Sequence, residues 1–130
     1  MQDYLIHDIN QAADGQRQID WVARWMKVVN QLAERFQQDG AFQGKRIGIC
    51  IHLEAKTAYL ALIVQRLGAE VWITSSNPLS AKDEVCAALA KNGVHVFARH
   101  GASIEEYWSF VDTIAQGTTA CRRRRWRGFM

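Results

Sequence analysis

The chain has 130 residues, 48% hydrophobic and 22% charged, which suits one compact domain with a real core. Its net charge of +3 belongs to one end: residues 117–130 hold five of the 16 basic residues (Arg122, Arg123, Arg124, Arg125 and Arg127) and no acidic one. The rest of the chain is mildly acidic, which gives no electrostatic reason to expect nucleic acid as a partner.

Taken in chain order, residues 21–36 read as an amphipathic helix. Val22, Trp25, Met26, Val29, Leu32, Ala33 and Phe36 repeat at three- and four-residue spacing on one face. Asp14 is a candidate cap before it and Gly40 a candidate stop. Trp21, Trp25 and Phe36 are read as core and not as a base-stacking platform. Residues 46–51 form a short apolar run that suits a strand buried on both faces, with Cys50 a buried, inert thiol. A helix over 54–67 ends at Gly68, and 69–74 is a second strand. Pro78 excludes helix from the loop 75–79. Ser80 is expected to cap a helix over 81–91, followed by a third strand over 94–98. Ser103-Ile104-Glu105-Glu106 then has capping-box spacing and opens a helix to about residue 115.

Single strands separated by helices imply a parallel sheet with right-handed crossovers. The expected fold class is α/β: a three-layer, Rossmann-like half with at least three strands and a leading amphipathic helix. Ligands bind such sheets beyond the carboxyl ends of the strands. Those ends read His52-Leu53-Glu54, Thr74-Ser75-Ser76-Asn77 and Arg99-His100-Gly101. For His7, His95 and His100 the sequence offers no partner, and a surface or packing role is expected.

Several motifs fail on their own terms. His52-Leu53-Glu54 has the H-x-E form of nucleobase deaminases, but no P-C-x-x-C follows. The segment 40–46 is one residue short of a P-loop and precedes a strand instead of following one. There is no G-x-G-x-x-G. The cysteines Cys50, Cys86 and Cys121 form no C-x-x-C pair and are odd in number, which argues against a disulfide framework or a zinc site. No apolar run approaches the roughly 20 residues that span a bilayer, and residues 1–4 lack the marks of a signal peptide. The expectation is a cytoplasmic protein without a membrane partner.

The run Ile47-Gly48-Ile49-Cys50-Ile51-His52-Leu53-Glu54-Ala55-Lys56-Thr57-Ala58 resembles the first strand-helix unit of S-adenosylhomocysteine hydrolases. Leu67-Gly68-Ala69-Glu70-Val71 and Ser76-Asn77-Pro78-Leu79-Ser80-Ala81-Lys82-Asp83 continue the likeness, and Val96-Phe97-Ala98 and Glu105-Glu106-Tyr107-Trp108 complete it. The resemblance covers roughly residues 12–115. It implies an NAD-dependent chemistry in the full-length family: oxidation of the ribose 3′-hydroxyl acidifies the 4′ proton, homocysteine is eliminated, water adds, and the ketone is reduced again. It further implies that His52 lies near the reacting 5′ end with a binding or acid/base role, as suits an imidazole near neutral pH. By the same resemblance Glu54, Lys56, Thr57, Asn77 and Asp83 bind substrate; Asp83 can alternatively serve the first turn of its helix, where a carboxylate is favoured.

Two positions depart from many family members, which have Thr at Glu54 and Glu or Gln at Lys56. His-Leu-Glu-Ala-Lys-Thr looks like the branch found in archaea and some thermophilic bacteria, and it leaves adenosyl and inosyl moieties both open as ligands. Lys82 and Ala81 replace the family's Gln and Thr. The family's later catalytic residues and its NAD domain have no counterpart in this sequence, so the chain alone is expected to be inactive and to bind no NAD. Residues 1–116 are assigned to the substrate-binding domain and 117–130 to a disordered basic tail, read as a frameshift or premature stop. The alternative is a non-catalytic module that binds nucleosides, forms homo-oligomers or joins an intact homologue; binding to RNA or a membrane surface through the tail is a weaker third reading.

Overall fold

The computed structural model describes residues 3–119. The leading helix is in fact two: α1, Ala12–Ala23, and α2, Lys27–Asp39. Asn30 stabilises the break between them. Its side-chain amide donates to the Ala23 carbonyl at 3.0 Å, which α1 leaves unpaired, while its oxygen accepts from the Tyr59 hydroxyl. The break turns Trp21 and Trp25 outward at 63% and 66% exposure, so neither belongs to the core as expected. Leu32 is also exposed, whereas Val22 is buried and Met26, Val29, Ala33 and Phe36 pack against the core. Asp14 lies in the first turn of α1 and caps nothing, and Gly40 closes α2 in the left-handed region at φ 64°.

Three parallel strands follow, β1 (Arg46–Cys50), β2 (Glu70–Thr74) and β3 (His95–Val96), in the order β1-β2-β3. Between them run α3 (Ala55–Arg66) and α4 (Asp83–Lys91), and α5 (Ile104–Thr118) comes last. The expected α/β class holds. The helix expected at 81 begins at Asp83, because residues 80–82 run extended beside Leu53. The Leu53 N–H donates to the Ser80 carbonyl at 2.9 Å and the Lys82 N–H to the Leu53 carbonyl at 3.0 Å. Ser80 therefore caps no helix; its hydroxyl accepts the N–H groups of Ser76 and Asn77. Leu5 pairs parallel with Phe97 and lies along the outer side of β3.

Strand alternation sorts the side chains onto two faces. Val71 and Ile73 join Ile19, Val85, Leu89 and the apolar side of α3 in the larger core, with Ile47 and Ile49 packed against it. Trp72 and Phe97 point the other way, where Phe110 and Ile114 of α5 cover them. Two glycines let α5 lie close: a Cβ on Gly117 would fall 2.3 Å from the Trp72 ring, and one on Gly48 would fall 3.0 Å from Thr118. α5 continues past Gln116 to Thr118; the rest of the basic tail from residue 120 lies outside the described residues.

β1 is not buried on both faces. It is a sheet edge whose residues alternate between exposed and half-buried, and Cys50 is exposed. Cys86, by contrast, is sealed in the core, where burial and then the nearby Asp83 and Glu84 push its thiol pKa far up. A maleimide added to the native chain is therefore expected to label Cys50 and spare Cys86 until denaturant is added, as read by peptide mass mapping.

Candidate functional site

The connections that leave β1, β2 and β3 meet at one end of the sheet, and the chain's own polar groups fasten them together. His52 comes two residues after the end of β1 and is exposed. Its carbonyl accepts the Thr57 hydroxyl at 2.7 Å, so the buried Thr57 fixes the backbone that carries the imidazole. Between His52 and Glu54, Leu53 is completely buried and anchors the turn in the core. Alternation then sends its two polar neighbours outward.

Glu54 is the N-cap of α3. Its Oε1 accepts the N–H groups of Lys56 at 3.1 Å and Thr57 at 3.3 Å, which satisfies two donors that a helix start leaves unpaired. Lys56 is exposed and, among the described residues, forms no ion pair. Replacing Glu54 with alanine is expected to lower stability by about 1 kcal/mol through loss of the cap. Thermal denaturation measures that loss, and Glu54→Asn, itself a capping residue, should restore most of it.

Asn77 shapes the second connection through an Asx turn: its Oδ1 accepts the Leu79 N–H at 2.9 Å and its carbonyl accepts the Ser75 hydroxyl at 2.8 Å. Asp83 opens α4, and its Oδ1 accepts the His100 N–H from the third connection at 2.9 Å. His100 also places Nδ1 3.1 Å from the Ala81 carbonyl, and the Gly101 N–H donates to the Pro78 carbonyl at 2.9 Å. His100 thus has partners that the sequence did not reveal. His95 lies at the opposite end of the strands, stacked on Trp72 with its Nε2 3.3 Å from Glu70.

Tyr107 was not among the sequence candidates, although it is one turn inside α5. Its hydroxyl donates to the Ser76 carbonyl at 2.9 Å and sits 3.9 Å from the Cys50 sulfur, which is itself 3.4 Å from the Ser75 carbonyl. Desolvation, followed by the Cys50 contact, raises the Tyr107 pKa, so it remains a donor across the physiological range. No periodicity in the sequence signals this contact, because it joins β1 and the β2–α4 connection to α5.

Beside these connections an open cleft of about 700 Å³ is lined in part by Arg17, Trp21, Glu54, Lys82 and Glu84. The Glu84 carboxyl is held below its ordinary range chiefly by a backbone hydrogen bond, with further help from Gln18 and Lys82 against the opposing effect of burial. Of the residues that the resemblance implies as substrate-binding, only Glu54 lines this cleft; His52, Lys56, Thr57, Asn77 and Asp83 do not.

The described residues do not fit NAD. A dinucleotide places its pyrophosphate at a glycine-rich, unoccupied helix N-terminus. Here the Glu54 carboxylate fills the start of α3, Asp83 and Glu84 occupy the first turn of α4, and Ser103, Glu105 and Glu106 that of α5. Carboxylates at these positions oppose a second anion. Among the described residues no group of three or more His, Cys, Asp or Glu side chains could hold a metal ion, and no helix is long and apolar enough to cross a membrane.

The family model for S-adenosyl-L-homocysteine hydrolase matches residues 3–124, and so runs past Gln116 into the basic segment. An S-inosyl-L-homocysteine hydrolase of Methanocaldococcus jannaschii is 45% identical over 111 residues, 85% of this chain and 27% of that protein. An adenosylhomocysteinase of Pyrococcus abyssi is 46% identical over 110 residues, 85% of this chain and 26% of that protein. One from Thermotoga maritima is 48% identical over 92 residues, 69% of this chain and 23% of that protein. The chain therefore spans about a quarter of the length of these relatives. A match over nearly all of the chain, on a parallel sheet whose first turn carries His52-Leu53-Glu54-Ala55-Lys56-Thr57, identifies it as a member of the S-adenosyl-L-homocysteine hydrolase family.

Proposed function

We propose that this chain supplies the nucleoside-binding end of an enzyme that cleaves the thioether of a nucleosyl-homocysteine. The observation that carries the reading is the turn after β1, where Thr57 and the buried Leu53 hold His52 outward at the carboxyl end of the sheet. Ligands of open α/β sheets bind at that end. In this reading His52 lies beside the ribose 5′ position and binds or handles protons there. Glu54, Lys56 and Thr57 line the nucleoside pocket, and Asn77 and Asp83 complete it from the β2–α4 connection. Redox chemistry with NAD belongs to the part of the whole protein outside this match; the residues of this chain bind and orient the nucleoside.

Adenosyl and inosyl relatives are about equally similar to the chain, at 46% and 45% identity, so overall likeness does not choose the base. Glu54 and Lys56 offer one acceptor and one donor group for that choice. The test is calorimetric titration of the purified chain with adenosine and inosine, alongside His52→Ala and Lys56→Ala. Binding of either nucleoside that each substitution weakens supports the reading; no binding of either overturns it. Hydrolysis of S-adenosyl- or S-inosyl-homocysteine by the chain with added NAD would overturn the assignment of catalysis to the remainder of the protein.

A further inference from the structure

We propose that His95 is a pH-sensitive clasp for the N-terminal segment. As imidazolium it ties Asp3 to the sheet; as neutral imidazole it lets the segment go and uncovers the outer side of β3. Nucleoside binding plays no part in this device.

The contacts of the ring come first. Trp72 lies on the sheet face that α5 covers, and the His95 ring stacks on it with centroids 4.1 Å apart and planes 21° apart. Each ring nitrogen then meets an oxygen. Nε2 is 3.3 Å from Glu70 Oε1, and Nδ1 is 3.2 Å from the main-chain carbonyl of Asp3, whose carboxylate is 4.0 Å away. An ionised carboxylate and a carbonyl can only accept hydrogen bonds. A neutral imidazole carries a single N–H, so it satisfies one of the two and turns a lone pair toward the other. An imidazolium donates to both.

The surrounding charges also favour the proton. Glu70 Oε1 accepts the Trp72 Nε1–H at 3.2 Å, and from β1 Arg46 places its Nε 3.2 Å from Glu70 Oε2. The N-terminal segment brings Asp3. α5 brings Gly117 against Trp72, in a last turn, residues 115–118, that has no charged side chain. Two carboxylates thus face one guanidinium, and a proton on His95 balances them. The face of an indole attracts a cation as well. The His95 side chain is 21% exposed, so protons from solvent reach it.

The clasp acts on the pairing of Leu5. Two residues after Asp3, the Leu5 N–H donates to the Val96 carbonyl at 2.8 Å, and the Leu5 carbonyl accepts the Ala98 N–H at 3.1 Å. Those bonds lay the segment along β3, and release of Asp3 frays them from the N-terminal side. Histidine ordinarily changes charge between about pH 5 and pH 8. Protonation stabilises the clasped form, so the hold is present at the acid end of that range and is lost as the pH rises through it.

Amide hydrogen exchange of the full 130-residue chain at about pH 5.5 and about pH 8 is the test, read as protection factors to remove the intrinsic effect of pH on exchange. The Leu5 and Ala98 amides should be roughly tenfold less protected at the higher pH, as suits the loss of one hydrogen bond from a charged donor. The amide of Ile73, in the central strand, should keep its protection. His95→Gln cannot titrate and should give Leu5 and Ala98 the same protection at both pH values. Asp3→Asn keeps the main-chain carbonyl and should respond as the parent does. In the parent itself, ring-nitrogen NMR at the lower pH should find a proton on both His95 nitrogens, a check that needs no variant to fold. Equal protection of Leu5 and Ala98 at the two pH values, greater protection at the higher one, or a neutral ring at the lower one would overturn the proposal. So would a His95→Gln chain that still responds like the parent, which would assign the response to another group.

Discussion

Gly15→Ala is expected to destabilise the chain by about 3 kcal/mol, the upper part of the range for forced overpacking. Alanine in place of glycine inside an exposed helix normally gains about 1 kcal/mol, so the local preference runs in the opposite direction. Packing decides the sign. Gly15 faces the start of α4, and a Cβ there would lie 1.9 Å from the Glu84 carbonyl oxygen and 2.9 Å from the Val85 nitrogen. The obstacle is backbone, which cannot swing aside as a flexible side chain can. Relief requires α1 to move off α4, which opens the packing around Ile19 and Val85, both essentially fully buried. Urea denaturation with an unchanged slope would report the loss as a lower midpoint. A midpoint equal to or above that of the parent would mean that α1 does not approach α4 in this way.

The second large effect concerns Leu53. Leu53→Ala should remove about 3 kcal/mol, since a completely buried leucine leaves a cavity that its surroundings only partly fill. Its position makes the consequence local as well as global. Leu53 is the bridge that holds residues 80–82 against the β1–α3 turn, and it is flanked by His52 and Glu54. Loss of its side chain should therefore loosen both connections and, under the proposed function, weaken nucleoside binding beyond what stability alone explains. Leu89→Ala provides the comparison: it empties an equally buried position in the last turn of α4, away from these turns. At a temperature where both variants are folded, titration should find weaker binding for Leu53→Ala and near-parent binding for Leu89→Ala. Equal affinities would mean that Leu53 contributes to the core alone.

The strand-helix alternation was legible because each apolar run is short and is closed by a glycine or a polar cap; Gly40, Gly68 and Ser103 act as their positions suggest. Local signals failed where a distant contact overrode them. The spacing of Val22, Trp25, Met26 and Val29 fits one helix, yet the Asn30 side chain closes α1 at Ala23 and turns both tryptophans outward. Ser80 precedes a helical run, yet pairing of residues 80–82 with Leu53 draws it into an extended segment. Burial of β1 was misread because an apolar run gives strand identity but not its place in the sheet; Cys50 is exposed because β1 is terminal. In the candidate site, His52 to Thr57 could be read from contiguous sequence. The links from Asp83 to His100 and from Tyr107 to Ser76 join residues far apart in the chain, and no pattern in one sequence specifies them.

The short Leu5 pairing along β3 also limits how the protein can assemble. A sheet with two open edges is a bifunctional unit: it can add a neighbour on each side and grow without end, as aggregating β-proteins do. With Leu5 seated beside Phe97, the sheet among the described residues has one fully open edge, that of β1. The two edges are therefore unequal: the one beside β3 is blunted by a short pairing, whereas that of β1 is bare. Sheet-to-sheet addition is favoured at β1, and loss of the Leu5 pairing would leave two bare edges, the condition for open-ended growth.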